Sequence, residues 1–302
     1  MEKTETHIGS VRTLMKVLSE LHDEKFAIFY RGHADKDYDV VPSIYRNPEW
    51  YTNEHKIVRE IIMRCPNDFS NMNSSFEKLV KMQHYNLPTR LLDITENPLV
   101  AMFFACMSED KKDGELLFFK VPKSKIKYYD SDTVSVLANV AWADSNFEIQ
   151  ASHRGSYKRF HTSNNIHASK LIHCIRQEKP YFSECINPVD IESVVCVKPK
   201  MDNQRVIRQD GAFFLFGINA NKHAHAVIED EWKYFPSEKR YIIKRSVKKE
   251  ILAQLKSIGI SKAKLFPEID MVSQFIKENN ELQFNEFSSV LPKPFNGQLL
   301  IV

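Results

Sequence analysis

The 302-residue chain has no long hydrophobic run and no strong net charge. Its longest near-continuous apolar stretch, PLVAMFFACM at 98–107, is about half the ~20 residues that a membrane span needs. The N-terminus, MEKTETHIGSV, lacks the apolar core of a signal peptide. We therefore expect a cytoplasmic protein with no membrane partner. The net charge of +3 permits an anionic partner without requiring one.

Cysteine and glycine are both scarce. The five cysteines are widely spaced, form no CxxC pair and have no zinc-ligand spacing, so reduced thiols and no metal are predicted. No segment is rich enough in Pro, Gly or Ser to be a linker, and no internal repeat has a fixed period. One mixed domain over 1–302 is therefore expected.

The common catalytic signatures are also missing. The chain contains no Walker loop, GxGxxG, GxSxG, HExxH or DxDxDG motif. Their absence gives no support to an ATPase, a Rossmann dehydrogenase, an α/β hydrolase, a zincin or an EF-hand.

The apolar pattern predicts an α+β fold. Spacing close to a 3.6-residue period predicts helices at 10–22, 54–64, 74–86, 97–110, 248–260 and 271–282. Aromatic and β-branched runs predict strands at 26–32, 114–122, 191–199, 212–218 and 240–246. The region of about 124–180 mixes a possible helix, VSVLANVAWA at 134–143, with a polar stretch that has no clear period, and a long loop or insertion is predicted there. Helices at both ends with strands between them favour α+β over regular βαβ alternation.

The first group of candidate residues is FYRGH at 29–33. Arg31 at a strand end can form a fork to phosphate or carboxylate, and Gly32 would let a ligand approach the backbone. A structural arginine paired with a nearby carboxylate is an equal alternative. His33, taken by itself, is predicted to be a surface residue rather than a base.

The second group is QHYNLPTRLLDITENPLVAMFFA at 83–105. Asn97 is the candidate N-cap of a helix whose free N–H groups and dipole favour anionic groups. Its polar residues directly before the helix are Thr89, Arg90, Asp93 and Thr95. The alternative is that Asp93, Thr95 and Asn97 only cap the helix while Arg90 neutralises Asp93.

The third group is RVIRQDGAFF at 205–214. Arg205, Arg208, Gln209 and Asp210 precede a glycine and an apolar strand. Such residues can line a cleft, or they can be polar only because a turn is solvated.

At these three places the chain resembles the FRG domain family. Tyr30-Arg31-Gly32 matches the name motif, and 83–105 matches the block QHYGLPTRLLDWTxNPLVALFFA, with Asn86 in place of Gly and Ile94 in place of Trp. RQDGAFFLFG matches a later QxGxF segment, and LKSIGISKAKLFPEID resembles a C-terminal LFP element. The resemblance covers about 10–275 and leaves 276–302 as a C-terminal extension.

A more distant resemblance is to ADP-ribosyltransferases of the arginine-serine-glutamate type. It implies split antiparallel sheets flanked by helices and NAD as the substrate. Arg31 would hold the NAD pyrophosphate or ribose region, and Thr95 with Asp93 would contact the nicotinamide ribose. The late-strand glutamate of that family is not evident, because the chain has Gln209-Asp210 there. Asp210 would take its place, or Asp93 would supply the negative charge from the other side of the cleft, and Gln209 would orient ribose or the acceptor.

These resemblances imply an NAD-dependent ADP-ribosyltransferase, a toxin or phage-defence effector that modifies RNA, DNA or protein and is restrained by an antitoxin-type protein. The basic stretch KRFH at 158–161 would contact nucleic acid. The implied catalytic residues are Arg31, Asp93, Thr95, Gln209 and Asp210, and the implied NAD-binding residues are Tyr30, Gly32, His33, His84, Tyr85, Thr89, Arg90 and Asn97. The alternative is a non-catalytic module that binds a nucleotide or phosphate. A nuclease would need metal-binding carboxylates, for which DKDYD at 35–39 supplies acids.

Overall fold

The structure is a computed structural model that describes residues 4–21, 24–149, 165–184, 186–234 and 239–268. The strands are β1 (Thr4–His7), β2 (Phe26–His33), β3 (Leu91–Thr95), β4 (Gly114–Pro122), β5 (Ile126–Tyr128), β6 (Val194–Lys198), β7 (Gly211–Phe216), β8 (Ile218–Asn219), β9 (Asn221–His225) and β10 (Lys239–Ile243). The helices are α1 (Val11–Leu18), α2 (Pro48–Arg64), α3 (Pro66–Phe69), α4 (Ser75–His84), α5 (Pro98–Cys106), α6 (Asp132–Asn139), α7 (Ile166–Glu178), α8 (Pro188–Ile191), α9 (Gln204–Arg208), α10 (Lys248–Ser257) and α11 (Lys262–Leu265).

Eight strands of the described part form one mixed sheet, in the order β1-β10-β4-β2-β3-β7-β6-β5, and β8 pairs with β9. Most neighbours are antiparallel, while β1 with β10 and β5 with β6 are parallel. The predicted α+β class is confirmed. Strand β2 is registered with β4 at eight positions but with β3 only at Tyr30 and Thr95. The sheet is therefore least continuous between β2 and β3.

Alternate residues of the strands pack on opposite faces of the sheet, as the period of two requires. On β4, Leu116 and Phe118 pack in the core that contains α5 and α10. Phe119, from the same strand, belongs to a second core with Phe214 and Trp232 on the other face. Because α5 is apolar all round and almost wholly buried, its position on the sheet is fixed, and so is the turn before it.

The predicted elements are largely confirmed. Every predicted helix up to residue 260 and every predicted strand corresponds to an observed element, with ends that differ by a few residues. Helix α2 is longer than predicted because Asn47 caps it and Pro48 begins it.

Two predictions about the course of the chain are wrong. LLDIT forms the central strand β3. The sequence analysis had predicted only a group of polar residues before α5 and no strand. The region predicted as a long loop or insertion contains β5, α6 and α7, of which α6 overlaps the possible helix at 134–143. Residues 150–164, including KRFH, lie outside the described residues, as do the predicted helix at 271–282 and the C-terminal extension.

Within the described residues, no helix is both long enough and apolar enough to cross a bilayer. The cysteines in that part of the chain, Cys65, Cys106, Cys174 and Cys196, are free thiols. No cluster of three or more His, Cys, Asp or Glu side chains there is placed to hold a metal ion.

Candidate functional site

Arg31 lies in the gap between β2 and β3. Its Nη1 donates a hydrogen bond of 2.6 Å to the main-chain oxygen of Asp93, at a position where β2 and β3 are not paired. Its Nε donates to Nε2 of His33 at 3.0 Å. Burial lowers the pKa of Arg31 to about 10, against the opposing effect of Asp93, so the guanidinium remains charged at neutral pH.

His33 is buried beside Arg31, with 2% of its surface exposed, so the prediction of a surface residue is wrong. Burial, followed by the positive charges of Arg31 and Arg46, lowers the pKa of His33 to about 3. The ring is therefore neutral at pH 7. Because its Nε2 accepts the Arg31 hydrogen bond, His33 orients the guanidinium rather than acting as a base.

Asp93 presents an exposed carboxylate on β3. Its Oδ2 accepts a hydrogen bond of 2.7 Å from Nε2 of Gln83 and lies 4.0 Å from Nη1 of Arg31. The side chain is 56% exposed. In the part of the chain that the structure describes, both contacts use Oδ2, which leaves Oδ1 available to a ligand.

The turn before α5 is fixed by Thr95 and Asn97. The Thr95 hydroxyl donates to the main-chain oxygen of Gln209 at 2.6 Å and accepts from the Asn97 N–H at 2.9 Å. Oδ1 of Asn97 accepts from the N–H of Leu99, which confirms it as the N-cap. Its Nδ2 donates to Oδ2 of Asp210 at 3.0 Å. The capping alternative therefore holds for Thr95 and Asn97, whereas Asp93 makes its contacts elsewhere.

Arg90 belongs to the core and not to the rim of a cleft. It is fully buried, with Nε 2.9 Å from Oε1 and Nη2 2.5 Å from Oε2 of Glu54, and its Nη1 donates to the Phe216 oxygen at 2.9 Å. Lys222 Nζ lies 2.9 Å from the same Glu54. Burial alone would raise the pKa of Glu54, but the two cations lower it to about 2. The prediction that Arg90 contacts a ligand is therefore wrong, and so is the alternative that Arg90 neutralises Asp93.

Gly32 is required by a helix and not by a ligand. A Cβ built on Gly32 would stand 1.9 Å from the Ala101 oxygen and 2.6 Å from the Ala105 nitrogen, both on α5. No side chain larger than hydrogen fits there without moving the helix. The sequence analysis predicted that a ligand approaches the backbone at Gly32. In the structure it is helix α5 that lies against the backbone there.

Two adjacent cavities open along this gap. The first, of about 160 Å³, is lined by Tyr30, Arg31, Gly32, Asp93, Ile94, Thr95, Ala101, Phe104, Arg205 and Gln209. The second, of about 100 Å³, is lined by Val80, Gln83, His84, Asn86, Asp93, Ile94, Arg205, Val206, Gln209, Gly211, Ala212 and Phe213. The fold thus brings together, from distant parts of the chain, most of the residues that the sequence implicated.

The remaining predicted residues take other positions. Thr89, His33 and Arg90 are buried and line neither cavity. Tyr85 is 64% exposed and does not line either of them. Asn97 and Asp210 form the neighbouring turn.

A short segment after α10, residues 265–268, crosses the same region, and sequence reasoning gave it no role beyond its resemblance to an LFP element. Several contacts hold it. Gln209 Nε2 donates to the Leu265 oxygen at 3.0 Å, and the Arg205 guanidinium lies 4.7 Å over the Phe266 ring. His84 Nε2 lies 2.6 Å from Glu268 Oε1. The side-chain amide of Gln209 is therefore occupied by protein. The sequence analysis also gave no site role to Gln83 or Phe104, which both line a cavity.

The FRG domain matches residues 27–114 of the chain. The match includes β2, β3 and α5, with Arg31, Gln83 and Asp93. Gln209 and 265–268 lie beyond it, so the match is shorter than the resemblance of about 10–275 that the motifs suggested. No curated protein and no solved structure shows a significant match to the chain.

Proposed function

We propose that the chain is an NAD-dependent ADP-ribosyltransferase whose nicotinamide end binds in the cavity between β2 and β3. The observation that supports this is the convergence of Arg31 and Asp93, 62 residues apart in sequence, with Tyr30 and Thr95 around one cavity. A cation, a carboxylate and an aromatic ring together are suited to a charged, sugar-containing ligand with a flat ring.

In this proposal Arg31 binds the diphosphate. A guanidinium matches two phosphate oxygens geometrically and stays charged across the physiological pH range. Within the described residues its contacts use Nε and Nη1, which leaves Nη2 for a ligand. His33 keeps the plane of the guanidinium fixed, so little ordering would be needed on binding.

Asp93 supplies the negative charge. Nicotinamide leaves the ribose through a state with oxocarbenium character, and a fixed carboxylate in a partly dehydrated site stabilises that charge. Asp93 is the sole acidic residue among the described residues that line the larger cavity. We therefore assign to Asp93, in preference to Asp210, the role of the late-strand glutamate of the ADP-ribosyltransferases.

The volume of the larger cavity limits which part of NAD can bind in it. The larger cavity, of about 160 Å³, is below the roughly 300–1,000 Å³ of ordinary ligand pockets. Only the nicotinamide and its ribose would enter, between Tyr30 and Phe104, and the diphosphate and adenosine would extend outward past Arg31. We propose RNA, DNA or protein as the acceptor, and a toxin or phage-defence role restrained by an antitoxin-type protein, on the resemblance alone.

A second candidate is a non-catalytic module that binds a nucleotide or phosphate. The observation that favours it is that two of the predicted catalytic groups are already hydrogen-bonded to protein: the Gln209 amide nitrogen donates to the Leu265 oxygen, and the Asp93 carboxylate accepts from Gln83. A cleft of that kind can hold a ligand without activating it.

Labelled NAD separates these candidates. The purified protein would be incubated with NAD alone and then with RNA, DNA or cell lysate, and nicotinamide release and label transfer would be measured. We expect Arg31→Lys and Asp93→Asn each to lower the rate by about 10²-fold or more with a nearly unchanged melting temperature. Arg64→Ala, on an arginine whose side chain is 68% exposed, is the matched control.

Binding of NAD without release of nicotinamide would favour the module. Absence of both release and transfer under every condition would exclude the transferase.

A further inference from the structure

A directed chain of hydrogen bonds ends on the carboxylate of Asp93. The Leu91 N–H donates to the Thr89 hydroxyl at 3.1 Å, and that hydroxyl donates to Oε1 of Gln83 at 2.7 Å. Nε2 of Gln83 then donates to Oδ2 of Asp93 at 2.7 Å. Thr89 is 1% exposed, so the chain begins in the core and ends at the cavity.

The direction of this chain is determined by its two ends. A main-chain N–H can only donate, and an ionised carboxylate can only accept. Gln83 must therefore turn its amide nitrogen to Asp93 and its oxygen to Thr89. The main chain of Thr89 is itself fixed, because its N–H donates to Ser43 Oγ at 3.1 Å and its oxygen accepts from Ile44 N at 3.1 Å.

Arg31 and Asp93 are neighbours at the cavity, but their side chains do not form the direct hydrogen-bonded ion pair that is usual for an arginine and a carboxylate. Free to approach, such a pair forms one or two hydrogen bonds of about 2.7–2.9 Å. Here Nη1 of Arg31 is 4.0 Å from Oδ2 of Asp93. Each partner is held by another group, Arg31 by His33 and the Asp93 main-chain oxygen, and the Asp93 carboxylate by Gln83.

We propose that Gln83 is a positioning residue that holds the Asp93 carboxylate apart from Arg31, so that both charges stay available to the ligand. The inference rests on the proposed function for the role of these charges, and its geometric part stands independently of it. Without the amide, Asp93 would close onto Arg31. The guanidinium would then be unavailable to a diphosphate and the carboxylate to a developing positive charge.

The direct test is the structure of Gln83→Met, which keeps the length of the side chain and removes both hydrogen-bonding groups. We expect a carboxylate oxygen of Asp93 to lie about 2.8 Å from an Arg31 nitrogen. A separation that stays near the 4.0 Å of the parent protein would overturn the proposal.

Kinetics provide the second measurement. For Gln83→Met we expect kcat for nicotinamide release to fall by about 10–100-fold, since displacement by an ångström is costly in an oriented site. Thr89→Ser retains the hydroxyl that fixes the amide and should lose less activity than Thr89→Val, which removes it. The exposed Arg64→Ala should keep the parent rate. Equal losses for Thr89→Ser and Thr89→Val would contradict a role for the chain of hydrogen bonds.

The two proposals fail in different ways. A parent protein that neither binds nor cleaves NAD refutes the proposed function, while the distance in Gln83→Met still decides the role of Gln83. A parent protein that cleaves NAD, with Gln83→Met equally fast, refutes the Gln83 proposal alone.

Discussion

The buried group of Glu54, Arg90 and Lys222 allows a quantitative test of whether Arg90 is structural. The three side chains are between 0 and 2% exposed, and together they carry one net positive charge. Glu54→Gln would leave both cations without a counter-charge, whereas Arg90→Met would leave the neutral pair of Glu54 and Lys222 in place. The two substitutions should therefore lower the free energy of unfolding by different amounts.

The magnitudes follow from the contacts that are lost. Breaking a buried ion pair from one side costs about 3–5 kcal/mol, and Glu54→Gln should reach the upper end because two cations lose their partner. Arg90→Met removes three hydrogen bonds but also removes the excess buried charge, so about 2–3 kcal/mol is expected. Lys222 keeps its bonds to the Val140 and Ala143 oxygens in both variants.

Urea unfolding at pH 7 and 25 °C would measure both free energies, with NAD binding followed in parallel. The expected order is parent, then Arg90→Met, then Glu54→Gln, with binding retained wherever the protein is folded. If Arg90→Met instead kept the parent midpoint and lost binding, Arg90 would be a ligand residue and the structural assignment would be refuted.

Two further predictions concern β2. The folded pKa of His33, about 3, is below its ordinary value of 6.5, so the unfolded chain binds the proton first and stability falls as pH decreases from 6.5 towards 3. Between pH 6.5 and 5 the free energy of unfolding of the parent should fall by about 1.7 kcal/mol more than that of His33→Gln in urea unfolding. Parallel curves for the two proteins would contradict this. Gly32→Ala should prevent folding or lower the free energy of unfolding by more than about 4 kcal/mol, because its Cβ would stand 1.9 Å from the Ala101 oxygen. Gly9→Ala should melt close to the parent protein, because no atom of the described residues lies within 4 Å of its Cβ. A similar melting temperature for both variants would show that α5 can move away.

Local patterns were sufficient for most elements of the fold. The apolar period of α1 and α4, the cap at Asn97 and the aromatic run of β4 are each set by neighbours in sequence, and the structure has all of them. Strand β3 was missed because its five residues, LLDIT, place a single exposed acid among apolar groups buried on both faces. Such a short segment has no period, and only the pairing with β7 makes it a strand.

The candidate site was predictable in part. Arg31, Asp93 and Thr95 stand in recognisable motifs, and the fold places all three around one cavity. Arg90 stands in the same motif but is paired with Glu54, 36 residues away in sequence. Charge and spacing along the chain cannot separate these two arginines, since the difference between them is which distant carboxylate each one meets.

The sequence by itself determined where α5 begins, that the helix is buried, and that a cation and a carboxylate precede it, because capping and apolar content act over a few residues. Tertiary structure alone decided which of the polar residues face the cavity. It buried Arg90 and His33, left Asp93 exposed, and used Gly32 for the contact with α5. Pairing across the sheet and the desolvation of each charge depend on groups far away in sequence, so these outcomes are properties of the packed chain.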